Sequence, residues 1–181
     1  MTIVVDVANV MGSRPDGWWR DRAGAAVRLH AEIARLAASG RAILPDAQGA
    51  PGFVLVLEGA ANAAVARLPA GESGKPAGES RAPAGESRAP GGESRAPAGQ
   101  SRAPAGQSRA PAGSAAADPV RPGEVRVVQA RGSGDDAIVA VVRELPGRRV
   151  VVTADRELRE RCAAAGATIL GPGWLLGLLR E

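Results

Sequence analysis

Apolar residues fall along this chain in short solid runs, separated by stretches that repeat at helical spacing. IVVDV (3–7), FVLVLEG (53–59), VRVVQA (125–130), RRVVVTA (148–154) and ATIL (167–170) read as five strands. Their apolar residues run together rather than alternate, the pattern of strands covered on both faces. PDGWWRDRAGAAVRLHAEIARLAAS (15–39) reads as an amphipathic helix, with Trp19, Ala23, Ala26, His30, Ile33 and Ala37 on its apolar face. Asp16 is its expected N-cap and Gly40 its expected terminator. GDDAIVAVVREL (134–145) predicts a helix ended before Pro146-Gly147. DRELRERCAAAG (155–166) predicts another, stopped by Gly166, and Trp174 to Leu179 a closing helical turn or two. Strands alternating with helices imply an α/β fold, a three-layer sandwich around a parallel sheet of about five strands.

One segment breaks the pattern. From Pro69 to Ser114 runs a heptapeptide array, PAGESGK, PAGESRA, PAGESRA, PGGESRA, PAGQSRA, PAGQSRA, PAGS. A period of seven invites a coiled-coil reading, but every unit carries proline and glycine, and no side chain larger than alanine is available for a seam. Such a tract cannot bury enough apolar surface to offset its chain entropy. It is expected to be a disordered PAGESRA-type insertion over residues 69–118. Residues 1–68 and 119–181 are then the two halves of one domain, with the insertion in the crossover between strands two and three.

Composition adds exclusions more than assignments. A single cysteine, Cys162, excludes a disulfide framework and a cysteine-based zinc site within the chain. A single histidine, His30, sits far along a helix and leaves Ser13 without a base for nucleophilic catalysis. His30 and Cys162 both read as core residues. The N-terminus lacks a signal peptide's basic region and long apolar run, and no apolar run nears the roughly 20 residues of a membrane span. A soluble, cytoplasmic protein is expected. The net charge of +4 favours phosphate-bearing partners mildly, although a GC-rich coding sequence would enrich Arg, Ala, Gly and Pro in the same way.

The chemistry gathers where the strands end. Strand one ends at Asp6, strand two at Glu58, and strand four runs into Asp155; after strand three a Gly-Ser-Gly loop leads to Asp135 and Asp136. In open parallel sheets the functional crevice lies at the carboxyl ends of the strands. Clustered carboxylates repel one another unless a cation neutralises them or some stay protonated. Mg²⁺ or Mn²⁺ is the hard cation such oxygen donors favour. Asp155 doubles as an N-cap, Ser133 to Asp136 fits a capping box, and a strand-end acid such as Glu58 is ordinary. Asp6 resists a purely structural reading best, because Val7-Ala8 offer it no partner.

These motifs, in this order, resemble the PIN-like nuclease superfamily, and within it the NYN branch that includes YacP-like ribonucleases. VVDVANV (4–10) matches the family's hydrophobic-run–Asp–x–x–Asn signature, DDAI (135–138) an Asp-Asp-x-Ile helix start, and VVVTAD (150–155) a final hydrophobic-run–Thr–x–Asp strand. Leu57-Glu58-Gly59 stands where the family commonly has Phe-Asp-Gly. The resemblance implies strand order 3-2-1-4-5 and a divalent-metal-dependent ribonuclease, an endonuclease acting on RNA. It makes Asp6, Asp136 and Asp155 the metal ligands, with Asp135 competing for the second position, Glu58 an extra acid, and Asn9 a residue orienting Asp6 or a phosphate oxygen. Arg14, Arg20, Arg22, Arg131 and Arg156 are candidate phosphate contacts, and Trp18 a candidate base-stacking residue. Two other functions fit the same residues: a nucleotide phosphohydrolase or pyrophosphohydrolase, and an RNA-binding module with a degenerate site.

Overall fold

The computed structural model describes residues 1–47, 49–68 and 119–180. The expected disordered insertion, residues 69–118, lies outside the described residues. Strands β1 (Thr2–Asp6), β2 (Gly52–Leu57), β3 (Val125–Gln129), β4 (Arg149–Val152) and β5 (Thr168–Leu170) form one sheet in the order β3-β2-β1-β4-β5. Every pairing is parallel. Both halves of the chain thus contribute to a single sheet. The switch point falls between β1 and β4, where Val5 sits beside Val152.

The strands are apolar on both sides because both sides are covered. Ile3, Val5, Phe53, Leu55, Val127 and Val152 face one core, packed under α1 (Val7–Gly12), α2 (Arg22–Ala38) and α5 (Pro172–Leu178). Val4, Val54, Val56, Val128 and Val151 face the other, under α3 (Gly134–Glu144) and α4 (Arg156–Ala164). Successive side chains of a strand point to opposite faces, so the solid apolar runs supply both layers at once. Leu29, Ile33, Ile138 and Leu158 are fully buried helix contributions. His30 and Cys162 are buried with them, as expected.

The helix of residues 15–39 is shorter than its pattern predicts. It starts at Arg22, and Asp21 rather than Asp16 caps it, accepting from the Gly24 N–H at 2.8 Å. Gly17 has φ 73°, a left-handed conformation that breaks the helical path, and a 3-10 turn over Trp18–Arg20 follows it. Trp19 consequently leaves the apolar face and stands 58% exposed, while Trp18 packs partly buried against the core. Two elements were not signalled by the apolar periodicity, α1 directly after β1 and a 3-10 segment, Gly59–Arg67, directly after β2. No described helix is long and apolar enough to cross a membrane.

Candidate active site at the carboxyl edge of the sheet

The chain turns from β1 into α1 with no intervening loop, and Asp6 is the residue on which it turns. Its Oδ1 accepts the Asn9 backbone N–H at 3.1 Å, as the N-cap of α1. Its Oδ2 accepts the Thr153 hydroxyl at 2.8 Å, across the switch point. Asp6 therefore has partners, contrary to the expectation drawn from Val7-Ala8. The register explains Thr153: Val5 pairs with Val152, so the next residues along, Asp6 and Thr153, are neighbours as the strands end. Thr153 is fully buried, and its oxygen also accepts the Asp155 N–H at 3.1 Å. That acceptance commits the single hydroxyl proton to Asp6.

Asp6 is 6% exposed. Burial raises its pKa above the ordinary carboxylate value, against the lowering effect of bonds from Asn9 and Thr153, and the charge of Glu58 adds to the rise. Asn9 serves both strands: besides supporting Asp6, its side-chain oxygen accepts the Ala154 N–H at 3.2 Å. The second strand-end acid, Asp155, caps α4 by accepting the Leu158 N–H at 2.8 Å through Oδ1. A capping role and a place at the crevice are compatible, since the carboxylate has a second oxygen.

The two adjacent aspartates of α3 face different ways. Asp136 is turned outward, its side chain 70% exposed, and forms an ion pair with Arg161 of α4. Asp135 is partly buried on the crevice side. Burial raises its pKa first, and the negative charges of Asp155 and then Asp6 raise it further. Asp6, Asp135 and Asp155 therefore share one electrostatic neighbourhood, with Glu58 also acting on Asp6 and the Arg161 guanidinium offsetting part of the charge around Asp135. Asp136, preferred over Asp135 by the family resemblance, is engaged elsewhere. Glu58 is also occupied: its Oε2 accepts the Gly134 N–H at 3.0 Å, tying the end of β2 to the first turn of α3. Gly134 leaves room for this contact, since a Cβ there would stand 2.2 Å from the same oxygen and the Glu58 side chain would have to shift. Among the described residues, no group of three or more His, Cys, Asp or Glu side chains stands close enough to hold a metal ion between them.

The candidate phosphate contacts also separate. Arg14 makes two bonds to Glu32, at 2.6 and 3.2 Å, with its side chain only 16% exposed, so it braces α2 rather than facing solvent. Arg22 lies over the Trp18 ring at 5.3 Å from its centroid, which occupies the ring expected to stack on a base. Arg20 is exposed beside Trp19, Arg131 is exposed in the loop before α3, and Arg156 is exposed and pairs with Glu160 at 3.3 Å. Sequence reasoning missed Thr153 as a bonding partner, although a hydroxyl directly after VVV on a buried strand is itself a signal. It also missed Gly134 and the exposure of Trp19, which depend on tertiary contacts and on the break at Gly17.

No family model and no curated protein sequence matches the chain. Among solved structures, that of Rae1 (YacP) from Bacillus subtilis is similar, at a TM-score of 0.52 and 13% identity, over 99% of this chain and 74% of that one. The chain thus shares the fold of Rae1 (YacP), a parallel sheet in the order expected from the sequence motifs.

Proposed function

We propose that the chain, folded as a YacP-like PIN domain, is a nuclease that hydrolyses RNA phosphodiester bonds at the carboxyl edge of its sheet. The observation that carries this reading is the convergence of Asp6, Asp135 and Asp155 from three separate elements onto the switch point between β1 and β4. The rise in the pKa of Asp135 caused by the other two charges is its electrostatic mark. Negative charge gathered in this way suits a divalent cation.

The donor set fits Mg²⁺ or Mn²⁺ in its chemistry, since all three groups are hard oxygen donors. Mg²⁺ is ordinarily held by one or two carboxylates with water completing its shell, which agrees with the lack of a closed trio among the described residues. Asp6 and Asp155 flank the switch point, so these two would hold the cation, with Asp135 approaching from α3 beside them. When bound, it would lower the pKa of a coordinated water and offset phosphate charge. The chain's own residues act by position. Thr153 and Asn9 fix both oxygens of Asp6, so this carboxylate presents one orientation to the crevice. Asp155 is fixed in turn by the first turn of α4. Asp135, whose carboxyl favours a proton more than an ordinary aspartate does, is the group suited to pass a proton to the leaving oxygen.

Structured and single-stranded RNA, and separately nucleoside triphosphates, incubated with the purified protein in Mn²⁺ or EDTA test this reading. Cleavage of RNA in Mn²⁺, lost in EDTA and lost in Asp6→Asn, is expected. Cleavage that persists in EDTA would overturn the metal assignment, and pyrophosphate release without RNA cleavage would replace the substrate. A second reading, an RNA-binding module without turnover, is favoured by the engagement of both Asp6 oxygens. RNA retained on a filter with no turnover would select it.

A further inference from the structure

Among the described residues, Trp19 is the large apolar side chain left exposed, at 58% of its surface. Its ring is not loosely tethered. It meets Trp18 edge to face, with centroids 6.3 Å apart and planes at 86°. Trp18 in turn packs against the core, under the Arg22 guanidinium and beside Gly12, where a Cβ would stand 3.7 Å from the indole. The 3-10 turn over Trp18–Arg20 is closed by the Arg20 N–H bonding the Gly17 carbonyl at 3.0 Å. A flat apolar surface is thus held out into solvent by a buttressed partner.

Its location is fixed by the direction of α2. The carbonyl of Ala37, near the C-terminal end of that helix, lies 3.4 Å from where a Cβ of Gly123 would stand, in the turn that enters β3. The helix therefore runs antiparallel to the strands, and its N-terminal end, with Trp19 before it, lies toward their carboxyl ends. Arg67, at the end of the 3-10 segment that follows β2, reaches the same place and lies 3.9 Å from Asp21. Arg20 follows Trp19 in the turn, Arg22 lies over the adjoining Trp18 ring, and Arg67 lies against Asp21 two residues on. Of the acids nearby, Asp16 accepts the Trp18 N–H at 3.2 Å, and Asp21 caps α2 through the Gly24 N–H at 2.8 Å while forming an exposed ion pair with Arg67 that a phosphate could replace.

We infer that Trp19 is a stacking platform for an unpaired nucleobase of RNA, with Arg20 and Arg67 beside it contacting the backbone phosphates. An exposed indole among guanidinium groups suits this ligand, because every base has a face to stack and every nucleotide a charge to meet. A base within a duplex is already stacked and cannot reach the ring, so the platform selects single-stranded segments. This inference rests on the RNA reading proposed above.

Binding is measured in EDTA, where the proposed cleavage is suppressed, by titrating the full-length protein with a single-stranded RNA oligonucleotide and with an RNA duplex. Trp19→Ala should raise Kd for the single strand by roughly 5- to 150-fold and leave the duplex unaffected, whereas Trp19→Phe should recover most of the loss. Trp19 fluorescence, taken as wild type minus Trp19→Phe, should be quenched by single-stranded RNA and protected from iodide. Equal single-strand affinity of wild type and Trp19→Ala would overturn the platform while leaving the RNA reading intact. A wild-type protein that binds neither RNA would overturn both.

Discussion

Replacing Thr153 by valine keeps the shape of the side chain and removes only its hydroxyl. Thr153 is completely buried, so water cannot substitute for the lost group. The hydroxyl donates to the Asp6 carboxylate at 2.8 Å and accepts from the Asp155 N–H at 3.1 Å. A hydrogen bond to a charged group contributes about 1.5–3 kcal/mol and a neutral one about 0.5–1.5 kcal/mol. Valine recovers part of this through its larger apolar surface, which leaves an expected loss of about 2–3 kcal/mol at neutral pH. For a domain of this size that is a fall in melting temperature of roughly 6–15 °C.

The loss should also depend on pH, with a definite sign. Burial raises the folded-state pKa of Asp6 above 3.8, so its contribution to stability is fully present below that value and is lost as pH rises through the folded pKa. The Thr153 bond opposes this rise, and its removal moves the folded pKa higher still. The difference between wild type and Thr153→Val should therefore be largest at pH 7.5 and narrow as the buffer approaches pH 4. Urea unfolding at several pH values measures it. In an Asp6→Asn background, which lacks the charge, the same substitution should cost about 1 kcal/mol. A penalty identical at every pH, or unchanged by Asp6→Asn, would refute the assignment of that proton to Asp6.

Gly134→Ala should displace the Glu58 carboxylate and lower stability by about 1–2 kcal/mol, the scale of a lost helix cap. Adding Glu58→Ala should cost little more, and full additivity in the double-mutant cycle would show that the two residues do not interact. Burial pushes the Cys162 thiol up to about 11, so it should resist alkylation in the native protein at pH 8 and react once urea unfolds the chain. Rapid native labelling would contradict its place between α4 and the sheet.

The sheet was legible because its strands are buried on both faces and leave an unmistakable apolar signature. Its order came from motifs, since periodicity says which segments are strands and not which are adjacent. Helix α1 was hidden because VANVMG follows β1 without a loop, and the cap that starts it is the same Asp6 that drew attention as a site residue. The acidic edge was readable as a set of strand ends. The outward turn of Asp136 was not, because its side chain pairs with Arg161, a residue of another helix. Trp18 and Trp19 were visible in sequence, but helical spacing assigned the buried face to Trp19. The left-handed Gly17 resets the phase and exchanges their roles.

The bond between Asp6 and Thr153 spans 147 positions of the chain. Contacts this distant in sequence must wait for the intervening polypeptide, and folds dominated by them acquire their native arrangement slowly. During synthesis, β1 emerges well before its neighbour β4, with β2, β3 and α3 between them. Until then Asp6 has no hydroxyl to meet and the crevice has only one wall. A fragment ending after β3 would carry Asp6, Asn9 and Glu58 but none of α3, Thr153 or Asp155. On the proposed reading, the nascent chain has no competent site until α3, β4 and the start of α4 have docked, so that docking is itself the step that arms the molecule.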